Sequence, residues 1–182
     1  MSLKQGIIDK IIAIEGGYVN DPKDSGGETN FGITKKVAKA YGYKGEMQEL
    51  PRSLAFEIYS KKYWDALMLD KIQEVSFRIA KELADTGVNM GTKRAAKFFQ
   101  RSLNSLNNCG NYYSDLVVDG AVGRKTIRAL EIFINFRGSD GEEVILKMLD
   151  CLQGIFYIEL AEKREKDEKF IYGWFKNRIG TK

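Results

Sequence analysis

A regular helix that runs into fifteen residues no helix can use is the strongest constraint on the fold of this chain. Leu3, Ile7, Ile8, Ile11 and Ile12 recur at helical spacing, so residues 3–15 read as an amphipathic helix that Gly16-Gly17 stops. The next stretch, GGYVNDPKDSGGETN, holds four Gly, one Pro, two Asn and two Asp, and no helical period fits over it. It reads as a shaped loop or small hairpin. Thr29, Phe31 and Ile33 alternate as a short strand does, with Asp24-Ser25-Gly26-Gly27 the expected turn before them. Glu15 lies four residues after Ile11 and seven after Ile8, so it extends the apolar stripe into the helix's last turn. A carboxylate is an unusual occupant of that position.

Helical periods dominate the rest. A short helix is expected from Thr34 to about Tyr41. Pro51 opens another, where its missing N–H costs nothing, with Leu54, Ile58 and Leu67 inward and Tyr63 and Trp64 nearby. Val75, Ile79, Ala80 and Leu83 mark a helix that runs out at Gly87, and Asp85-Thr86-Gly87-Val88-Asn89-Met90-Gly91 reads as a polar junction between two halves, 1–91 and 92–182. Beyond it Ala95, Phe98, Phe99, Leu103 and Leu106 mark a helix, and Asn104 to Asn111 a loop. Turns fall at Asp119-Gly120 and Gly123. A helix over Thr126–Phe136 and a long one over Glu142–Lys166 follow, separated by Gly138-Ser139-Asp140-Gly141, and an aromatic tail carries Phe170, Tyr172, Trp174 and Phe175. The charge-dense tract EKREKDEK reads as a solvated helix face.

Composition narrows the chemistry. The 182 residues contain no histidine, which excludes Ser-His-Asp and Cys-His nucleophiles, HExxH zinc sites and imidazole acid–base catalysis. Cys109 and Cys151 are too few for a structural zinc site without histidine, so no metal and no other cofactor is expected; the two read as free thiols or at most one disulfide. No apolar run reaches the ~18 residues of a membrane-spanning helix. The excess of 29 basic over 25 acidic residues and a pI near 8.9 suit a polyanionic partner such as nucleic acid or anionic cell wall. No nucleic-acid reader motif accompanies that charge, and the two signs are interspersed. Asp9 and Lys10 split the apolar stretch at the start, which leaves no signal-peptide core; the expectation is synthesis in a bacterial cytoplasm without a Sec signal.

Glycoside hydrolysis fits these limits, because it needs a carboxylic acid at the leaving oxygen and usually a second carboxylate, and no histidine. An acid that donates near neutral pH must have its pKa raised. Desolvation on an apolar stripe and the negative end of a helix dipole both act that way on Glu15. Asp21 and Asp24 are the ionised partners that the polar loop offers. Asp24 lies nine residues after Glu15; Thr29, five further on, is placed to orient a water, and Asn30 offers an amide to a sugar. The same segments also read as a surface glutamate before Gly-Gly and a simple Asx turn.

The run Glu15-Gly16-Gly17-Tyr18-Val19-Asn20-Asp21-Pro22-x-Asp24-x-Gly26-Gly27-Glu28-Thr29-Asn30-Phe31-Gly32-Ile33-Thr34 resembles the signature of glycoside hydrolase family 108 lysozymes, the phage endolysins and related bacterial murein hydrolases. Tyr63-Trp64 and Asp85-x-Gly87-Val88-Asn89-x-Gly91 continue the resemblance. In that family the glutamate opening the motif is the catalytic acid, which maps onto Glu15. The E-x8-D spacing followed by threonine also resembles the Glu/Asp/Thr set of T4-type lysozymes and maps onto Glu15, Asp24 and Thr29, though that family has one more residue between aspartate and threonine. Ser25 stands where proline is common. The second half, with Phe98-Phe99-Gln100-x-x-Leu103-Asn104, Val118-Asp119-Gly120-x-Val122-Gly123 and the ending Gly173-Trp174 and Asn177-Arg178, resembles the helical peptidoglycan-binding domain that accompanies this module.

The resemblance implies a mainly α fold, α+β lysozyme-like: an N-terminal helical lobe over 1–91 with a small β-hairpin holding the active-site loop, then a helical peptidoglycan-binding domain over 92–182. It implies a muramidase cleaving the β-1,4 bond between N-acetylmuramic acid and N-acetylglucosamine, with bacterial peptidoglycan as partner; no nucleic acid and no membrane span are expected from the motifs and composition, and a monomer is the default for an enzyme that must enter a mesh. Glu15 is then the acid, Asp24 the second carboxylate and Thr29 the residue that places water. Tyr18, Asn30, Tyr63, Trp64, Asp85 and Asn89 are candidates to line the cleft, since aromatic faces and amides suit sugar rings. A lytic transglycosylase would use the same glutamate alone, and a wall-binding or secretion-associated protein would keep the fold without turnover. Action on the wall would follow holin-type or specialised release.

Overall fold

A computed structural model describes residues 2–20 and 27–180. Over the described residues the chain is mainly helical with one tiny sheet, the architecture expected of a lysozyme-like protein. It divides into two compact units between Asp65 and Ala66.

In the first unit α1 (Leu3–Glu15) starts where the Ser2 hydroxyl accepts from the Gln5 amide at 3.1 Å and stops at Gly16, whose φ of 79° no helix admits. Ile8, Ile11 and Ile12 are buried, each supplying about 1.5–3 kcal/mol of apolar burial. The sheet is a hairpin of β1 (Thr29–Asn30) and β2 (Ile33–Thr34), paired Thr29 with Thr34 and Asn30 with Ile33. Its turn is Phe31-Gly32, both residues at positive φ (51° and 69°), the geometry of a two-residue turn whose twist matches its strands. The expected continuous strand over Thr29, Phe31 and Ile33 is therefore a hairpin folded at its middle. The turn foreseen at Asp24–Gly27 lies largely outside the described residues. A third segment joins through Val19, which exchanges two backbone hydrogen bonds with Thr29 at 2.8 and 2.9 Å.

Thr34 caps α2 (Lys35–Ala40). Pro51 sits one residue before α3 (Arg52–Tyr59), and its carbonyl opens the helical ladder. A π turn, Ser60–Trp64, and a short 3-10 turn, Asp65–Leu67, continue α3. At its start Arg52 reaches Asp9 of α1 at 2.6 Å. A hydrogen bond from Gln5, then that guanidinium, hold the Asp9 carboxyl below the usual carboxylate range.

In the second unit α4 (Leu69–Val75), α5 (Phe77–Met90), α6 (Thr92–Ser105), α7 (Arg124–Lys163) and α8 (Glu168–Arg178) surround a core that includes Leu83, Phe99, Leu103, Leu130 and Ile145. Helix α5 does not end at Gly87, as the junction reading expected, but runs to Met90 and breaks at Gly91 (φ 90°). Gly87 is in the helix for close packing: a Cβ there would stand 2.9 Å from Leu67 Cδ1. Helix α7 bends at Gly138 (φ 58°), where the sequence places its glycine-rich break. The charged tract is not one solvated face. α7 stops at Lys163, and Asp167 is buried against the Arg164 guanidinium. The aromatic tail beyond it is α8.

The loop between α6 and α7 is held by polar side chains rather than by secondary structure. Buried Gln100 donates to Asp119 Oδ1 and to the Ala121 carbonyl, and its own carbonyl accepts from Gly120 N. The Gln100 bond, then the Ala121 amide, lower the Asp119 carboxyl below its ordinary range. Cys109 and Cys151 are both exposed and unpaired.

Candidate active site

Glu15 is the last residue of α1 and is exposed, so the burial expected from its place on the stripe does not occur. The core covers Ile8, Ile11 and Ile12, but the helix has run past it by its final turn. What lies against the Glu15 side chain is backbone. A Cβ added to Gly32 would stand 2.5 Å from Glu15 Oε2 and 3.0 Å from Glu15 Cβ. Only glycine leaves room there for the carboxylate. The helix end and the hairpin turn, separated by the non-helical stretch, thus meet at one point.

Tyr59, at the end of α3, fixes that point from beneath. Its hydroxyl donates to the Phe31 carbonyl at 2.6 Å and would lie 2.9 Å from a Cβ on Gly32. Burial, reinforced by the charges of Glu15 and Tyr63, pushes the Tyr59 hydroxyl well above its ordinary range. It therefore stays protonated and donating at any working pH. Tyr63, four residues on, stacks on Tyr59 with ring centroids 6.0 Å apart and planes 17° apart, and Lys62 Nζ stands 5.0 Å over the Tyr63 ring. Tyr63 remains partly exposed, as is Tyr18, the residue before the Val19–Thr29 bridge.

The other expected site residues divide. Thr29 is partly exposed, at the centre of the three paired segments. Asp24 lies outside the described residues. Asn30 is 4% exposed, and its amide nitrogen donates to the carbonyls of Met47 at 2.7 Å and Gln48 at 3.3 Å. Both its donors are spent on holding the hairpin, so it does not offer them to a sugar. Trp64 is 1% exposed, an aromatic of the interior with no face open to a ring. In the second unit Asp85 and Asn89 are exposed one turn apart on α5, and the Asn89 amide donates to the Asp85 carbonyl and to Oδ2 at 2.8 and 3.0 Å. Tyr59 and Gly32 are the residues that reading the sequence missed. Their signals were present: an i, i+4 Tyr59/Tyr63 pair, and a glycine in the second place of a two-residue turn between short β-prone segments.

Among the described residues no cluster of three or more acidic or cysteine side chains is placed to hold a metal ion. No described helix is long and apolar enough to cross a membrane.

Residues 8–91 match the family model of glycosyl hydrolase 108, and residues 94–179 match the model described as a predicted peptidoglycan domain. Among solved structures the chain is similar to SagA of Brucella abortus, with 24% identity and a TM-score of 0.58 over 95% of this chain and 87% of that one, a likeness of fold. No curated protein matches the sequence. A segment of the chain similar to glycosyl hydrolase 108 is thus followed by one similar to a peptidoglycan domain.

Proposed function

We propose that the enzyme is a muramidase that hydrolyses the β-1,4 bond from N-acetylmuramic acid to N-acetylglucosamine, with Glu15 as general acid. The observation that carries this reading is the accessible Glu15 carboxylate at the end of α1, seated on the bare backbone of Gly32. A proton donor must reach the glycosidic oxygen, and an exposed carboxyl held by a rigid turn can do so. A saccharide laid over Glu15 would exclude water from it, supplying the desolvation that burial in the free protein does not.

In the reaction Glu15 gives its proton to the leaving oxygen as the C1–O bond breaks, and water adds to C1. Asp24 either stabilises the cationic sugar or takes the water's proton, and Thr29 places the water. Tyr18 and Tyr63 are the aromatic side chains near this centre whose rings are open enough to meet a sugar. Asp85 and Asn89, joined by their hydrogen bond, offer a carboxylate and an amide as one rigid pair. Catalysis belongs to residues 1–91 and wall binding to 92–182.

The test is the chemistry of the cut ends. Digestion of purified peptidoglycan followed by mass spectrometry is expected to show reducing muramic ends. Ends in the 1,6-anhydro form would mean that the sugar's own hydroxyl, not water, attacks C1, and would overturn hydrolysis in favour of lytic transglycosylation. Reducing glucosamine ends would overturn the choice of bond.

A further inference from the structure

Helix α8 carries Phe170, Tyr172, Trp174 and Phe175 in eleven residues, and none of its residues is buried. Aromatic side chains usually supply the core of a small domain, yet here Phe170 and Tyr172 are exposed and Trp174 and Phe175 only partly covered, which calls for another explanation. Three rings form a row. Tyr157 of α7, 3% exposed, is its base; Trp174 stacks on it with centroids 4.8 Å apart and planes 25° apart, and Phe170 follows at 5.8 Å and 27°. At that last separation the planes are offset rather than eclipsed, which leaves part of each ring face open. Phe170 is 46% exposed.

The row is braced and charged. Arg178 Nη1 donates to the Tyr157 hydroxyl at 3.0 Å, and Lys169 Nζ stands 4.8 Å over the Phe170 ring at the other end. Phe175 packs over Gly154 of α7, where an added Cβ would stand 3.4 Å from its ring, and so helps to seat α8 on α7. Burial holds the Tyr157 hydroxyl above its ordinary range against the pull of Arg178, with Asp85 and Glu82 of α5 acting in the same sense as burial.

We propose that Trp174 and Phe170, braced on the buried Tyr157 and flanked by Lys169 and Arg178, form a glycan-binding strip that holds the sugar strand of peptidoglycan. Offset aromatic faces match the apolar faces of successive pyranose rings, and the cationic ends match the carboxylates borne by muramic acid and its stem peptides. The occupant is the glycan rather than a protein helix because every residue of the strip lies within the segment, 94–179, that matches a peptidoglycan domain. The inference rests on the peptidoglycan reading of this enzyme, but not on Glu15 or on the bond that is cut.

Tryptophan emission tests it in the full chain. The protein has two tryptophans, and Trp64 is buried, so a saccharide on the strip is reported by Trp174. Titration with chitohexaose and with soluble peptidoglycan fragments is expected to shift or quench the emission in a saturable way, and Trp174→Phe is expected to abolish that change while Trp64 still emits. Phe170→Ala is expected to weaken sedimentation with insoluble peptidoglycan about tenfold, consistent with one lost stacking contact, at an unchanged melting temperature. The strip is refuted if saturating fragments leave Trp174 emission unchanged, if Phe170→Ala sediments as the parent does, or if the parent does not sediment. Loss of cleavage with sedimentation intact would instead count against the assignment of the reaction.

Discussion

Replacing Gly32 with alanine separates two costs that usually arrive together. Gly32 has a φ of 69°, and an L-residue forced into that region costs about 1–2 kcal/mol of stability. Its Cβ would also lie 2.5 Å from Glu15 Oε2 with the Tyr59 hydroxyl at 2.9 Å on another side, so the carboxylate is what must retreat. An ordinary contact needs it to move by about 1 Å, and misplacement on that scale costs on the order of 100-fold in rate. Gly32→Ala should therefore lower kcat about 100-fold while KM and sedimentation with peptidoglycan stay near the parent's. Gly42→Ala is the control: φ there is 85° and a Cβ meets nothing within 4 Å, so it carries the backbone cost alone. The assay is turnover of soluble peptidoglycan fragments at saturation, with urea unfolding of both variants in parallel. If Gly32→Ala turns over as fast as Gly42→Ala at equal stability, the carboxylate does not work from its seat on Gly32.

Asn30→Ala leaves the Met47 and Gln48 carbonyls without their donor and should lower unfolding free energy by about 1–3 kcal/mol in urea titrations; unchanged stability with weakened saccharide binding would return Asn30 to the substrate. Gln153 is wholly buried on α7 and neither polar atom of its amide has a partner, so Gln153→Met, similar in volume, should leave stability equal or raise it by about 1 kcal/mol; a clear loss would show that the amide is satisfied by an internal water. Burial raises the Tyr113 hydroxyl from 10.0 to about 12, while the unfolded chain titrates at the lower value. Its contribution to stability is thus complete below pH 10 and lost as pH rises towards 12, so unfolding at stepped alkaline pH should show a smaller loss for Tyr113→Phe than for the parent, the buried Tyr59 and Tyr157 accounting for the remainder.

Helix positions were readable because the apolar stripes carry most of the fold. Ile8, Ile11 and Ile12, then Ile79, Ala80 and Leu83, then Phe98, Phe99 and Leu103 are all buried as their spacing requires. Endings were harder, since a glycine stops a helix only where its backbone leaves helical geometry. Gly16 and Gly91 do so at φ 79° and 90°, whereas Gly87 stays helical because a neighbouring leucine needs its space. Periodicity also cannot tell where a stripe runs out of core, which is why Glu15 was expected to be buried and is exposed. Asn30 and Trp64 show the same limit from the other side. An amide and an indole suit sugars, but the residues they fold against come from segments 17 or more positions away, and no local pattern reports that. Tyr59 was missed for that reason too: its partner carbonyl is 28 residues back in the chain.

Cleavage of purified peptidoglycan by the Glu15→Gln variant tests the central claim most directly. Glutamine keeps the shape of the side chain and its fit over Gly32 but has no proton to transfer at neutral pH, so folding and binding should survive. The account predicts that this variant sediments with peptidoglycan as the parent does and melts at the same temperature, yet releases no muropeptides. Release at the parental rate would contradict it and place the proton donor elsewhere in the chain.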